Sequence, residues 1–99
     1  MFYAIRGTDV PNSLERRQGA RPAHLARLEQ LRAAGSLLLC GPFPAIDAED
    51  PGPAGYTGSL IVAEFDSLED ARAWAQTDPY VAAGVYATVE VTPFRKVLP

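Results

Sequence analysis

The chain has almost no cysteine: Cys40 stands alone among 99 residues. A lone thiol excludes an internal disulfide, and equally a cysteine-based zinc site or iron–sulfur cluster built within one chain. It fits a reducing cytoplasm. Basic excess is also missing, since 9 Lys and Arg against 12 Asp and Glu leave a net charge of −3. Without a basic stripe there is no electrostatic footprint for nucleic acid, and without a Lys/Arg-rich segment none for an anionic membrane. No apolar run approaches the roughly 20 residues that a membrane span needs. The opening MFYAIRGTDV lacks the charged start and long apolar core of a signal peptide. P-loop, dinucleotide fingerprint, HExxH and GxSxG are all absent, which removes nucleotide, zinc-hydrolase and serine-hydrolase chemistry. The expectation is a cytoplasmic protein with no cofactor, no metal, and neither nucleic acid nor membrane as partner.

What is present describes one domain, residues 1–99, with an ordinary core-forming share of 47% hydrophobic residues. MFYAIRG alternates, with Met1, Tyr3 and Ile5 on one side and Phe2, Ala4 and Arg6 on the other, as a strand does. TDVPNS is a turn, and Asn12 with Glu15 has the spacing of a capping box before a helix that starts near Ser13. Gly19 and Pro22 are expected to interrupt or kink that helix, and Pro22 equally suits the first turn of a new one. The pattern from Ala23 to Ala34 is helical, with Gly35 as its stop. LLLCGPF reads as a buried strand. PFPAIDAEDPGPAGYTG, about seventeen residues, reads as one long loop, a lid or a dimer-contact hairpin. SLIVAEF is a second apolar strand. Asp66 or Ser67 caps a helix whose buried stripe is Leu68, Ala71, Trp74 and Ala75. TDPYVAAG is a short capped turn, and YATVEVTPFRKV is a last strand whose Pro93 suits an edge or a bulge.

The order β-α-β-β-α-β is the split βαβ, or ferredoxin-like, arrangement: an α+β fold with a four-stranded antiparallel sheet and two helices on one face. Two helices cover one face only, yet SLIVAEF is apolar on both sides and LLLC has no polar side at all. A second copy packed sheet to sheet, a homodimer, would cover the remainder.

His24 is the only histidine. It shares a helical face with Leu28 and Leu31 at i, i+4 and i+7, so it points inward at the rim of the core. Such a histidine is either a hydrogen-bonded core residue or a general acid/base. Asp78, in TDPY, has the chemistry of an N-cap followed by Pro at the first helical position. A carboxylate has acceptor sites to spare, so capping does not prevent it from orienting His24 and fixing its tautomer. Arg16, Arg17 and Arg21 precede His24, and Arg6 ends the first strand. They form either an anion-binding entrance or a solvated helix face, with Arg21 the best placed, one turn from His24. Gly41 and Pro42 either stop a strand or let backbone approach a ligand. Ser59 and Tyr80 are hydrogen-bond donors for a substrate or else structural. Trp74 reads as core, and Cys40 as a buried, unreactive thiol.

SLERRQGARPAHLARL, LLLCGPFPAIDAEDPGPAGYTGS, TDPYVAAGVY and VTPFRKV, in that order and spacing, resemble the YciI-like family of small bacterial proteins along almost the whole chain. The resemblance implies a dimeric α+β barrel and an enzyme with a His/Asp site. In this sequence those positions are His24 and Asp78. One branch of the family acts as a dehydrochlorinase on chlorinated hydroxylated aromatics. Some relatives carry an acid just before the helix-ending glycine; Ala34 stands there instead, so no role of that acid carries over.

Three functions compete. The first is a cofactor-free enzyme whose His24 and Asp78 act on a small anionic or phenolic molecule by elimination, isomerisation or hydrolysis. The second is a non-catalytic small-molecule-binding dimer. The third is a haem-binding barrel that uses His24 as axial ligand.

Overall fold

A computed structural model describes all 99 residues. In chain order the elements are β1 (Phe2–Asp9), α1 (Leu14–Ala33), β2 (Leu37–Pro44), β3 (Tyr56–Glu64), α2 (Leu68–Gln76), the single turn α3 (Pro79–Ala82) and β4 (Tyr86–Phe94). The strands form one sheet in the order β2-β3-β1-β4, and every neighbouring pair is antiparallel. This is the ferredoxin-like arrangement that the element order predicts.

Register decides which side chains meet the helices. Ile5 faces Ile61 on β3 and Val91 on β4, while Gly7 faces Ser59 and Val89. With period-two alternation, Tyr3, Ile5, Gly7 and Asp9 share the face of Ser59, Ile61 and Ala63. The core sits there: Ile5, Leu28, Ile61, Ala63 and Ala75 cluster, with Leu31, Phe65, Trp74 and Val91 packed around them. The other face carries no helix, and on it Arg6 lies over the Phe43 ring at 4.9 Å. Exposed apolar side chains include Leu39 and Phe94.

Four local expectations need correction. Gly19 and Pro22 do not break α1, which runs unbroken from Leu14 to Ala33 with Pro22 inside it. The burial of Arg17, His24 and Leu28 along one face outweighs the hydrogen bond lost to the proline. No Asn12–Glu15 capping box forms. Ser13 is the N-cap without a side-chain cap bond, and its hydroxyl donates to Asp9 Oδ2 at 2.6 Å. The long loop is shorter than its composition suggests, because pairing continues to Pro44 opposite Tyr56. Only residues 45–55 connect the strands, closed by Ala45 N–H donating to the Gly55 carbonyl at 2.9 Å. Finally, β2 is an edge strand rather than a buried one, and Leu39, Cys40, Gly41 and Pro42 are all exposed.

The helix stop at Gly35 is as expected, and its mechanism is visible. Gly35 has φ of 76°. Its N–H bonds to the Arg32 carbonyl, and that of Ser36 to the Leu31 carbonyl at 2.9 Å, which is a Schellman ending. Ser67, not Asp66, caps α2 by accepting from Asp70 N–H at 3.0 Å.

Candidate active site

The inner face of α1 carries two polar side chains into the core, Arg17 and His24, only 5% and 7% exposed. They are seven residues apart, two helical turns or about 10.5 Å along the axis. Each has its own carboxylate.

His24 Nδ1 lies 2.8 Å from Asp78 Oδ1 and 3.0 Å from Oδ2. An ionised carboxylate only accepts, so Nδ1 carries the proton and donates it. That leaves Nε2 as the basic nitrogen. It has no partner in the chain and is not among the sealed polar atoms. Asp78 Oδ1 also accepts the Tyr80 N–H at 2.8 Å, capping α3. Asp78 thus caps α3 and lies within hydrogen-bond distance of the imidazole at once, and Pro79 at the first helical position fixes the turn that aims the carboxylate. The Tyr80 ring stacks on the imidazole, with centroids 3.9 Å apart and planes inclined by 11°.

Arg17 is held more tightly. Its Nε donates to Asp9 Oδ2 at 2.6 Å, and its Nη2 to Asp9 Oδ1 and Ser59 Oγ, both at 2.8 Å. The guanidinium also lies over the rings of Tyr56 and Tyr80, at 5.2 and 5.1 Å. Burial pulls its pKa down, but the bonds and charge of Asp9 outweigh this and hold it above the ordinary arginine value. Nη1 has no hydrogen-bond partner in the chain and is not sealed off, so one donor of a fixed cation remains free.

A cavity of about 660 Å³ opens between α1, β2, β3 and the 45–55 loop. His24, Arg17, Arg21, Gly41, Pro42, Ser59 and Tyr80 all border it. Burial pushes the Tyr80 phenol above its ordinary value, against the pull of Arg17 and Arg21. Tyr80 touches His24 by the face of its ring. Arg21 is exposed at the cavity's edge. Arg6 is not part of this site: it lies on the helix-free face of the sheet, over Phe43. Alternation separates Arg6 from Tyr3 and Ile5, which face the helices. Cys40 is exposed at the cavity rather than buried. Its thiol is nevertheless held above its ordinary pKa, first by partial burial and then by the charge of Glu29. No three or more His, Cys, Asp or Glu side chains gather where they could hold a metal ion.

Sequence reasoning undervalued Arg17 and missed Asp9 and Tyr86. Arg17 shares the inward face at i, i+7 with His24, and Asp9 continues the alternation of Tyr3, Ile5 and Gly7. Tyr86 had no signal beyond Gly7: a Cβ on Gly7 would meet the Tyr86 ring at 2.5 Å, so the ring lies directly on this glycine. Its hydroxyl is buried without a partner, and burial first of all pushes its pKa up to about 12.

The whole of this arrangement falls within a recognised family, since residues 1–95 match the YCII-related domain. The chain belongs to that family. It is 60% identical over 97 residues to Protein YciI of Escherichia coli O6:H1, covering 98% of this chain and 99% of that one. It is 56% identical, over the same shares, to an uncharacterized protein of Haemophilus influenzae. Among solved structures it is similar to 5-chloro-2-hydroxyhydroquinone dehydrochlorinase of Burkholderia phenoliruptrix AC1100 in complex with 2,5-dihydroxybenzoquinone. That likeness has a TM-score of 0.83 at 29% identity and covers 96% of this chain and 94% of the other. A solved structure of similar fold is thus that of an enzyme with a small-molecule ligand.

Proposed function

We propose that this YCII-related protein is a cofactor-free enzyme that moves protons on a small, planar anionic or phenolic molecule. The observation that carries the proposal is the buried His24–Asp78 pair with Nε2 left free, on the same cavity as Arg17 with its unpartnered Nη1. Asp78 fixes the imidazole tautomer and steadies the imidazolium that forms when Nε2 takes a proton. Arg17 and Ser59 hold the oxygen on which negative charge develops, in a geometry already paid for by Asp9. Arg21 at the edge adds attraction for an anion.

For a chlorinated hydroxyquinol, the reaction balances without oxidant. Nε2 takes a hydroxyl proton, the ring oxygen becomes a carbonyl, and the proton returns to the carbon that bears chlorine. Loss of the proton from the hydroxyl para to that carbonyl then drives electrons through the ring and expels chloride. The products are a hydroxyquinone and HCl. The dehydrochlorinase likeness supports this class of chemistry. Isomerisation and hydrolysis use the same two groups.

The protein is further proposed to work in the cytoplasm as a homodimer, with helix-free sheet faces packed together. The exposure of Leu39 and Phe94 on the helix-free face of the sheet supports that assembly.

Chloride release from 5-chloro-2-hydroxyhydroquinone, measured without oxygen, tests the proposal. The expected result is turnover that falls by roughly 10²–10⁴ in His24→Ala with the fold retained. Binding without turnover would instead make the protein a small-molecule-binding module.

A further inference from the structure

The cavity is larger than a single ring requires. About 150 Å³ is enough to hold benzene, whereas this one is about 660 Å³. Its polarity is also graded along α1. Around Arg17 the opposite wall is Tyr56 and Ser59, as the guanidinium contacts show. About one turn of helix beyond His24 the wall changes character. Leu28 packs with Ile61 in the core cluster, and Cys40 pairs with Ile61 across the β2–β3 ladder.

Leu25 completes this end. It is 38% exposed and borders the cavity beside His24, although its neighbours on the outer face of α1 are polar. A leucine half-open to solvent gains nothing by itself. Together with Leu28, Cys40 and Ile61 it makes an apolar trough that begins at the imidazole and ends in solvent at the exposed edge strand β2. The trough is continuous with the polar end, so one molecule can occupy both.

We infer that the physiological ligand is an amphiphile: an ionisable ring or enol held at Arg17, Ser59 and His24, carrying an apolar arm that lies on Leu25, Leu28, Cys40 and Ile61. The inference rests on the reading of His24 and Arg17 as the groups that hold the reacting head. It adds that a bare hydroxyquinone fills only half of the site. The arm also explains the direction of entry, since the trough opens past β2 while the 45–55 loop, through Asp50, Gly52 and Pro53, walls the polar end.

The test is calorimetric binding of two probes, 2,5-dihydroxybenzoquinone and its 3-butyl derivative, to the full-length protein. Each buried methylene is worth roughly fourfold in affinity. The expected result is that both bind at one site, that His24→Ala weakens both, and that the butyl compound binds at least tenfold more tightly. In the double variant Leu25→Gln/Cys40→Asn, at two exposed positions, the ratio of the two Kd values falls below threefold. If the wild type binds both probes alike, or the ratio survives the double substitution, the arm subsite is overturned while the head-group reading stands. If neither probe binds in a His24-dependent way, the head-group reading falls and takes the arm with it.

Discussion

Arg17 and Asp9 are the costliest residues in the site to separate. Their side chains are 6% and 1% exposed and share two hydrogen bonds. Asp9→Ala leaves a guanidinium buried beside two aromatic rings with no counter-charge. It should lose about 3–5 kcal/mol in denaturant unfolding, far more than the exposed Glu29–Arg32 pair, where loss of either partner costs little. Tyr86 behaves oppositely. Its hydroxyl has no partner, so Tyr86→Phe should be neutral or stabilising by up to about 1 kcal/mol. Folding raises the phenol from an ordinary value of 10 to about 12. A group with a raised folded pKa contributes stability that is whole below pH 10 and is lost as pH climbs through 12. Urea midpoints at pH 9 and 11.5 should therefore differ less in Tyr86→Phe than in wild type; an equal difference would show that Tyr86 does not govern the alkaline limb.

At the scale of elements, the βαββαβ order is legible because each piece has its own local signal. Alternation marks β1 and β4, Gly35 needs its positive φ, and Ser67 with Asp70 starts α2. What is not legible is anything that depends on neighbours. Pro22 is a helix breaker by itself, and only the burial of Arg17, His24 and Leu28 on one face carries the helix through it. Pro22→Ala should stabilise the protein by roughly 1–3 kcal/mol, because it restores an N–H toward the Gln18 carbonyl in a helix that already exists. A lower melting temperature would mean that the proline is compensated locally. Gly7 is another such case. Its β1 backbone looks like any small strand position until the Tyr86 ring is found lying on it. Gly7→Ala should cost about 1–3 kcal/mol, and much less in a Tyr86→Ala background, as measured by a double-mutant cycle.

Across the whole molecule, the strand order β2-β3-β1-β4 explains which of these residues come together and which do not. His24 and Asp78 meet because α1 and α3 pack on the same sheet face, which the topology implied. Arg6 was misplaced because it alternates away from that face, and Cys40 was misjudged because β2 proved to be an edge. Arg21 and Arg17 are both near the inward face of α1, and only the position of Asp9 on β1 distinguishes them. The helix-free face leads to a prediction at the same scale. Sedimentation should show a dimer, and Leu39→Glu, at a position 48% exposed in the single chain, should weaken it at least tenfold.

The most direct test of the central claim is the protonation pattern of the His24 ring, read from ¹⁵N–¹H correlation spectra. One histidine means one set of signals. The account predicts the Nδ1–H tautomer of the neutral ring in wild type, held by Asp78, and its loss in Asp78→Asn. A neutral wild-type ring protonated at Nε2 would leave no free basic nitrogen toward the cavity, and a pattern indifferent to Asp78→Asn would remove Asp78 as the group that holds the tautomer; either result would contradict the acid/base pair.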